Sequence, residues 1–227
     1  MNTKIAILVV GSAIFMASCS VNKGSQQVVN KEHNAQQVII NSPDDAILEL
    51  KNGNARFLSN KLINTNYKNQ IDQTKADQHP HSVILSCLDS RVPPEIIFDQ
   101  GIGNVFVARN AGNIEDLNVL GSMEFATKVK GTKLIVVMGH SHCGAINGAI
   151  ANAELGNLTQ LLDQIKPAII KNDDKEKMID ETIKNNVKMT IADILERSPV
   201  ISELVRGNKV KIVGAYYDLA TGKVIFM

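Results

Sequence analysis

At 227 residues the chain has room for one domain with a sizeable core, plus appendages. Its 44% hydrophobic and 21% charged residues are ordinary for a globular protein and exclude a disordered or fibrous one. A net charge of +1, no basic stripe, few aromatics and no tryptophan argue against a nucleic-acid partner.

In chain order, the first element stands apart from any domain. Residues 1–18 carry Lys4 and then an apolar run from Ile5 to Ala17, the pattern of a signal peptide and short for a membrane span. The run ends in MASC (16–19), which resembles the lipobox of bacterial lipoproteins. That likeness implies lipidation of Cys19 as the first mature residue, a membrane anchor and a place in the bacterial cell envelope. Met16, where such boxes favour Leu, leaves ordinary secretion and an uncleaved anchor as alternatives. Loss of residues 1–18 removes only Lys4 and leaves the mature chain neutral. Residues 19–41 are rich in Gln and Asn without a helical apolar stripe, and read as a flexible tether.

The folded domain is expected over 42–227. SPDD (42–45) offers Ser42 as N-cap, Pro43 at the first helical position and Asp45 three residues after the cap, predicting a helix to about Leu58. A polar loop follows. SVILS (82–86), VFVAR (105–109), KLIVVMG (133–139) and VKIVGAYYD (210–218) contain short apolar runs rich in β-branched residues, as in strands covered on both faces. Helices are predicted between them at about 93–100, 114–130, 143–153, 157–171, 175–197 and 199–205. This alternation predicts an α/β fold with a mainly parallel sheet of four strands. KVIF (223–226) follows DLATG and is expected to add an antiparallel edge strand, the whole flanked by helices.

The chemistry lies at two strand ends. Cys87 follows the 82–86 strand, and His140 follows the 133–139 strand. In a parallel sheet both reach the carboxyl rim, where ligands of such folds bind. Cys143 is three residues beyond His140, where a helix should begin and stabilise a thiolate. Two thiolates and an imidazole suit Zn²⁺ with one open position. Two buried structural cysteines, or a redox pair, remain alternatives on the residues alone.

CLDSRVPPE, FDQGIGNVFVARNAGN, LIVVMGHSHCGA and VGAYYDLATGKV together resemble the β-class carbonic anhydrases over roughly residues 44–226. The resemblance implies a zinc enzyme that interconverts CO₂ and bicarbonate by attack of zinc-bound hydroxide, with one zinc per subunit, built as a homodimer or a multiple of dimers. It makes Cys87, His140 and Cys143 the metal ligands, Asp89 and Arg91 a catalytic dyad, and Gln78 of QHP (78–80) a substrate-facing amide given by the partner subunit. Gly144-Ala145 departs from the family's frequent pair of glycines. Two thiolates weaken the metal as a Lewis acid. A carboxylate that orients the attacking oxygen, itself held by an arginine, answers that need. The same ligand set also fits a hydrolase of another linear electrophile, such as carbon disulfide. A non-catalytic zinc-binding lipoprotein is the third reading, and a closed structural site would prefer a fourth protein ligand to a free Asp–Arg pair.

The remaining polar residues take simpler readings. His142 is expected to turn away from the metal. His79 and His81 read as loop or surface histidines, with a proton shuttle as the alternative. ARNAGN (108–113) is expected to shape a loop beside the site rather than to perform chemistry.

Overall fold

The computed structural model describes residues 40–227. The signal-peptide candidate, Cys19 and all but the last two residues of the tether lie outside the described residues. Among the described residues no helix is long and apolar enough to cross a membrane.

Ser42 caps α1 (Pro43–Leu58) by a reciprocal pair of bonds. Its hydroxyl accepts the Asp45 N–H at 3.1 Å, and the Asp45 carboxylate accepts the Ser42 N–H at 2.9 Å. The chain continues through α2 (Tyr67–Thr74), β1 (Ser82–Cys87), α3 (Pro94–Ile97), β2 (Val105–Asn110) and α4 (Leu117–Glu124), which runs on into a wider turn over Phe125–Val129. Then come β3 (Leu134–His140), α5 (Gly144–Ile150), α6 (Gly156–Ile165), α7 (Lys175–Arg197), α8 (Pro199–Arg206), β4 (Lys211–Tyr217) and β5 (Val224–Phe226).

The sheet order is β2-β1-β3-β4-β5. The first four strands are parallel and β5 is antiparallel, as the sequence pattern predicts. β1 and β3 are buried along their whole length because both faces are covered. On one face Ile84, Val136 and Met138 pack with Ala46 and Leu50 of α1 and with Phe98. On the other, Val83, Leu85, Ile135 and Val137 meet Met123 of α4, Val187 and Ile194 of α7 and Ile201 of α8. A third cluster lies at the carboxyl ends of the strands: Cys87 and Cys143 with Ile146 of α5, Leu162 and Ile165 of α6 and Ile183 of α7. These side chains form an apolar floor beneath the rim.

The structure corrects several boundaries. The polar loop after α1 contains α2, an eight-residue helix capped by Asn66 with no buried residue, so it carries no apolar stripe to detect. The 93–100 helix shortens to α3. The 114–130 helix begins only at Leu117, where Asp116 caps it, because Ala111–Asn113 form a 3₁₀ turn with Gly112 at φ 73°. The 157–171 helix ends at Ile165, since Pro167 converts the next residues to a 3₁₀ turn. His81 lies in the loop before β1, as expected, but is half-buried rather than on the open surface. Its Nδ1 lies 2.8 Å from the Ser82 hydroxyl and its Nε2 3.0 Å from Gln100 Oε1, and burial lowers its pKa. Both nitrogens are engaged at the amino end of the sheet, which removes it as a shuttle for a site at the carboxyl end.

Candidate metal centre

Cys87 is the last residue of β1 and His140 the last of β3, and these strands are neighbours in the sheet. A tight turn then returns the chain. Ser141 donates its N–H to the Tyr217 carbonyl at 3.0 Å, and its hydroxyl accepts the Leu219 N–H at 2.9 Å. His142 takes the left-handed conformation at φ 55° and is exposed. This reversal delivers Cys143 to the first position before α5, pointing back at the strand ends. The Cys87 Sγ, an imidazole nitrogen of His140 and the Cys143 Sγ all lie within 4.8 Å of one another, and all three residues are buried.

The hydrogen bonds decide which histidine nitrogen faces the sulfurs. Nδ1 lies 2.9 Å from the Ser141 carbonyl, which can only accept, so Nδ1 carries the proton. Nε2 is then a bare lone pair, buried and without any hydrogen-bond partner. Both thiols are free. The Cys87 thiol is pulled down, chiefly by the neighbouring Cys143 thiol, with the Gly112 and Asp89 N–H groups helping. Cys143 is pushed up by the neighbouring Cys87 thiolate and by burial. Two adjacent buried thiolates repel, so each sulfur opposes ionisation of the other. An orphaned imidazole nitrogen aimed at a thiol pair fits a thiophilic divalent cation, which would balance both sulfurs at once.

Asp89 stands beside this cluster, its Oδ2 4.0 Å from His140 Nε2. Arg91 binds it with two parallel bonds, Nε to Oδ1 at 2.9 Å and Nη2 to Oδ2 at 2.7 Å, and the Arg91 N–H adds a third to Oδ1 at 2.9 Å. This guanidinium holds the Asp89 carboxyl far below the usual carboxylate range. Asp89 is therefore an ionised acceptor, restrained at the edge of the cluster. The Asp89 side chain is 16% exposed and that of Arg91 57%, so the pair forms the boundary between the site and solvent.

Gln78 is not brought to this site within one chain. It is exposed and precedes β1, whereas Cys87 ends that strand. Six residues of strand separate the two ends by roughly 20 Å. His79 is also at that far end, exposed and 4.0 Å from Asp77.

The structure adds contacts that local motifs cannot show. Gly112 donates its N–H to Cys87 Sγ at 3.5 Å, and its carbonyl accepts from Asn186 Nδ2 of α7 at 2.8 Å. A Cβ at Gly112 would stand 2.6 Å from Ile165 Cδ1, and φ is positive, so only glycine fits. Arg109 reaches from β2 to the Cys87 carbonyl at 3.0 Å and the Asp89 carbonyl at 2.6 Å. Their one sequence signal is the ARNAGN stretch, of which residues 108–110 end β2 and only Ala111–Asn113 form a turn.

Comparison with known proteins agrees with this geometry. The family model described as "Carbonic anhydrase" matches residues 82–224. Carbonic anhydrase 2 of Mycobacterium tuberculosis (strain CDC 1551 / Oshkosh) is 38% identical over 193 residues, covering 81% of this chain and 92% of that protein. The carbonic anhydrase of Mycolicibacterium smegmatis is 35% identical over 191 residues, again with 81% and 92% covered. Among solved structures, the β-carbonic anhydrase CcaA superposes with a TM-score of 0.65 at 25% identity, over 80% of this chain and 94% of that one. A structure from the work on two tetrameric β-carbonic anhydrases of Sordaria macrospora gives the same TM-score and identity, over 80% and 95%. With Cys87, His140 and Cys143 gathered at the strand ends and the match running across all four parallel strands, the chain belongs to the β-carbonic anhydrase family.

Proposed function

We propose that this chain is a zinc carbonic anhydrase that catalyses the reversible hydration of CO₂ to bicarbonate and a proton. The observation that carries the reading is the pairing of a Cys₂His cluster with an ionised Asp89, turned to its edge and held there by Arg91. Zinc held by Cys87, His140 Nε2 and Cys143 would supply a Lewis acid able to make water a nucleophile near neutral pH. The chain's own residues do the rest. Cys87 and Cys143 contribute the negative charge that keeps the cation, and the Ser141 carbonyl fixes the imidazole. Asp89 accepts a hydrogen bond from the attacking water and aims its lone pair at CO₂. Arg91 keeps Asp89 charged and turned.

The active unit in this reading is a homodimer, or a multiple of dimers. Among the described residues β2 is an edge strand of the sheet. Beside it Val83, Phe106, Ala108, Leu117 and Phe125 line an apolar groove of about 540 Å³. A two-fold pairing of β2 edges is antiparallel, so the amino end of one strand meets the carboxyl end of the other. Gln78 lies against Gly103, just before β2. Such pairing would carry the partner's Gln78 toward the Cys87 end, where its amide could face substrate.

For residues 1–41 the reading is export by a signal peptide, lipidation of Cys19 and a tether that holds the domain off an envelope membrane. A Cys19→Ala chain should be either soluble or left uncleaved, and one that is cleaved normally and stays membrane-bound would overturn this part.

The activity is tested by following CO₂ hydration by stopped flow on purified protein before and after zinc chelation, with carbon disulfide offered in parallel. Hydration that chelation abolishes and zinc restores supports the reading. Turnover of carbon disulfide without CO₂ hydration, or a zinc-loaded protein that turns over neither, contradicts it.

A further inference from the structure

We infer that Arg109 is a positioning residue of the metal centre: from β2 it fixes the turn that carries Cys87 and Asp89 relative to the strand end that carries His140 and Cys143. The inference rests on the zinc-centre reading above. After Cys87 the chain leaves the sheet, and residues 88–93 belong to neither strand nor helix. Its two ends are anchored: Leu88 donates its N–H to the Asn110 carbonyl at 3.0 Å, and Val92 is fully buried in the core with Ile84 and Phe98. Residues 89–91 between them are not buried. The Asp89 carbonyl accepts the Val92 N–H at 2.9 Å, a bond internal to the turn. The Asp89–Arg91 pair is internal to the turn as well, since both partners belong to it. It sets the carboxylate relative to the turn and does not itself tie residues 89–91 to the sheet.

Arg109 supplies that missing restraint. It pairs in register with Ser86, beside the end of β1, and its guanidinium spans two carbonyls two residues apart, those of Cys87 and Asp89. A planar fork with two donors at fixed separation locks both the position and the twist of the segment between them. Both bonds are charge-assisted. The two arginines therefore divide the work. Arg91 orients the Asp89 carboxylate, and Arg109 places the backbone on which both that carboxylate and one sulfur are mounted.

Three properties should move together when Arg109 is removed. Metal affinity should fall, because Cys87 is no longer held at ligand distance from Cys143 and His140. The geometry at the metal should change. The turnover rate should fall with little change in KM, because Asp89 keeps its charge and Arg91 but is displaced from the attacking atom. Lysine at 109 offers one point charge in place of a fork, so it can restrain one carbonyl and should recover part of each loss.

The test uses the full chain with Arg109→Ala and Arg109→Lys. Zinc affinity is read by competition with a chromophoric chelator, and geometry by the visible absorption of the Co²⁺-substituted protein. CO₂ hydration gives kcat and KM, and thermal melts report folding. Arg109→Ala should bind one zinc about 10-fold more weakly, the scale on which outer-sphere partners of metal ligands act. It should shift the cobalt bands and lower kcat about 10-fold, with Arg109→Lys intermediate in all three. Wild-type affinity, cobalt spectrum and kcat in Arg109→Ala would overturn the inference. So would an equal loss of melting temperature in both variants with no metal-specific change. If the wild-type protein binds zinc yet fails to hydrate CO₂, the proposed function falls, while the affinity and cobalt comparisons still decide the part of Arg109.

Discussion

Replacing Asp89 by Asn tests the dyad with the least disturbance of shape. The Asp89 carboxylate accepts three hydrogen bonds, all from Arg91: Nε at 2.9 Å, Nη2 at 2.7 Å and the backbone N–H at 2.9 Å. Asparagine has one acceptor oxygen. Whichever way the amide turns, its NH₂ faces an Arg91 donor, so at least one guanidinium bond is lost. The exposure of Arg91 to solvent keeps the effect of that loss on stability small. The larger effect is on the reaction, because the acceptor facing the attacking water loses its charge. Loss of one positioned group of this kind slows turnover by about 10²-fold. Zinc content should stay at one per chain, because Cys87, His140 and Cys143 are untouched. Stopped-flow CO₂ hydration with metal analysis on the same sample is the assay. Near wild-type turnover in zinc-loaded Asp89→Asn would reduce the pair to a loop ion pair and refute the reasoning. Arg91→Ala should fail by a different route. With Asp89 Oδ2 already 4.0 Å from His140 Nε2, the freed carboxylate can rotate onto the metal. Its activity should then partly recover at alkaline pH, where hydroxide competes for the site, and Asp89→Asn should show no such recovery.

Gly139→Ala should destabilise the fold, since its Cβ would stand 2.9 Å from both Ile183 Cγ2 and Val187 Cγ2; overpacking of about 1–3 kcal/mol corresponds to roughly 5 °C of Tm, and an unchanged melt would contradict the packing. His81 is held neutral by burial, with a folded pKa below its ordinary 6.5. Its contribution to stability is thus present above that value and is lost as pH falls through the folded pKa. Between pH 7 and 5 the wild-type Tm should drop more than that of His81→Gln, and equal slopes would argue against the buried network. Metal-free protein exposed to a disulfide oxidant should lose the Cys87 and Cys143 thiols together and then refuse zinc, because the sulfurs are neighbours; two titratable thiols after that treatment would exclude the pairing.

The parallel sheet was legible because SVILS and LIVVMG are buried on both faces and so are apolar without alternation. The metal cluster was legible because its residues close two of those runs, and the topology brings adjacent carboxyl ends together. What stayed hidden depends on packing between distant segments. α2 buries nothing and leaves no pattern. The partner of His81 was hidden because Gln100, which takes its Nε2, lies 19 positions away. Arg109 reads as one charge at a strand end, since its partners are two backbone carbonyls that have no signature in the side-chain sequence. Gln78 shows the opposite case. The resemblance assigns it to a site that one chain alone does not build around it.

The central claim is that zinc at Cys87, His140 and Cys143 makes this chain a catalyst of CO₂ hydration. The most direct test titrates zinc into metal-free, reduced protein while following the hydration rate, with Cys87→Ser alongside. The account predicts a rate that rises linearly and breaks at one zinc per chain, and no rise in Cys87→Ser. A rate independent of zinc, or full zinc-dependent activity in Cys87→Ser, would contradict it.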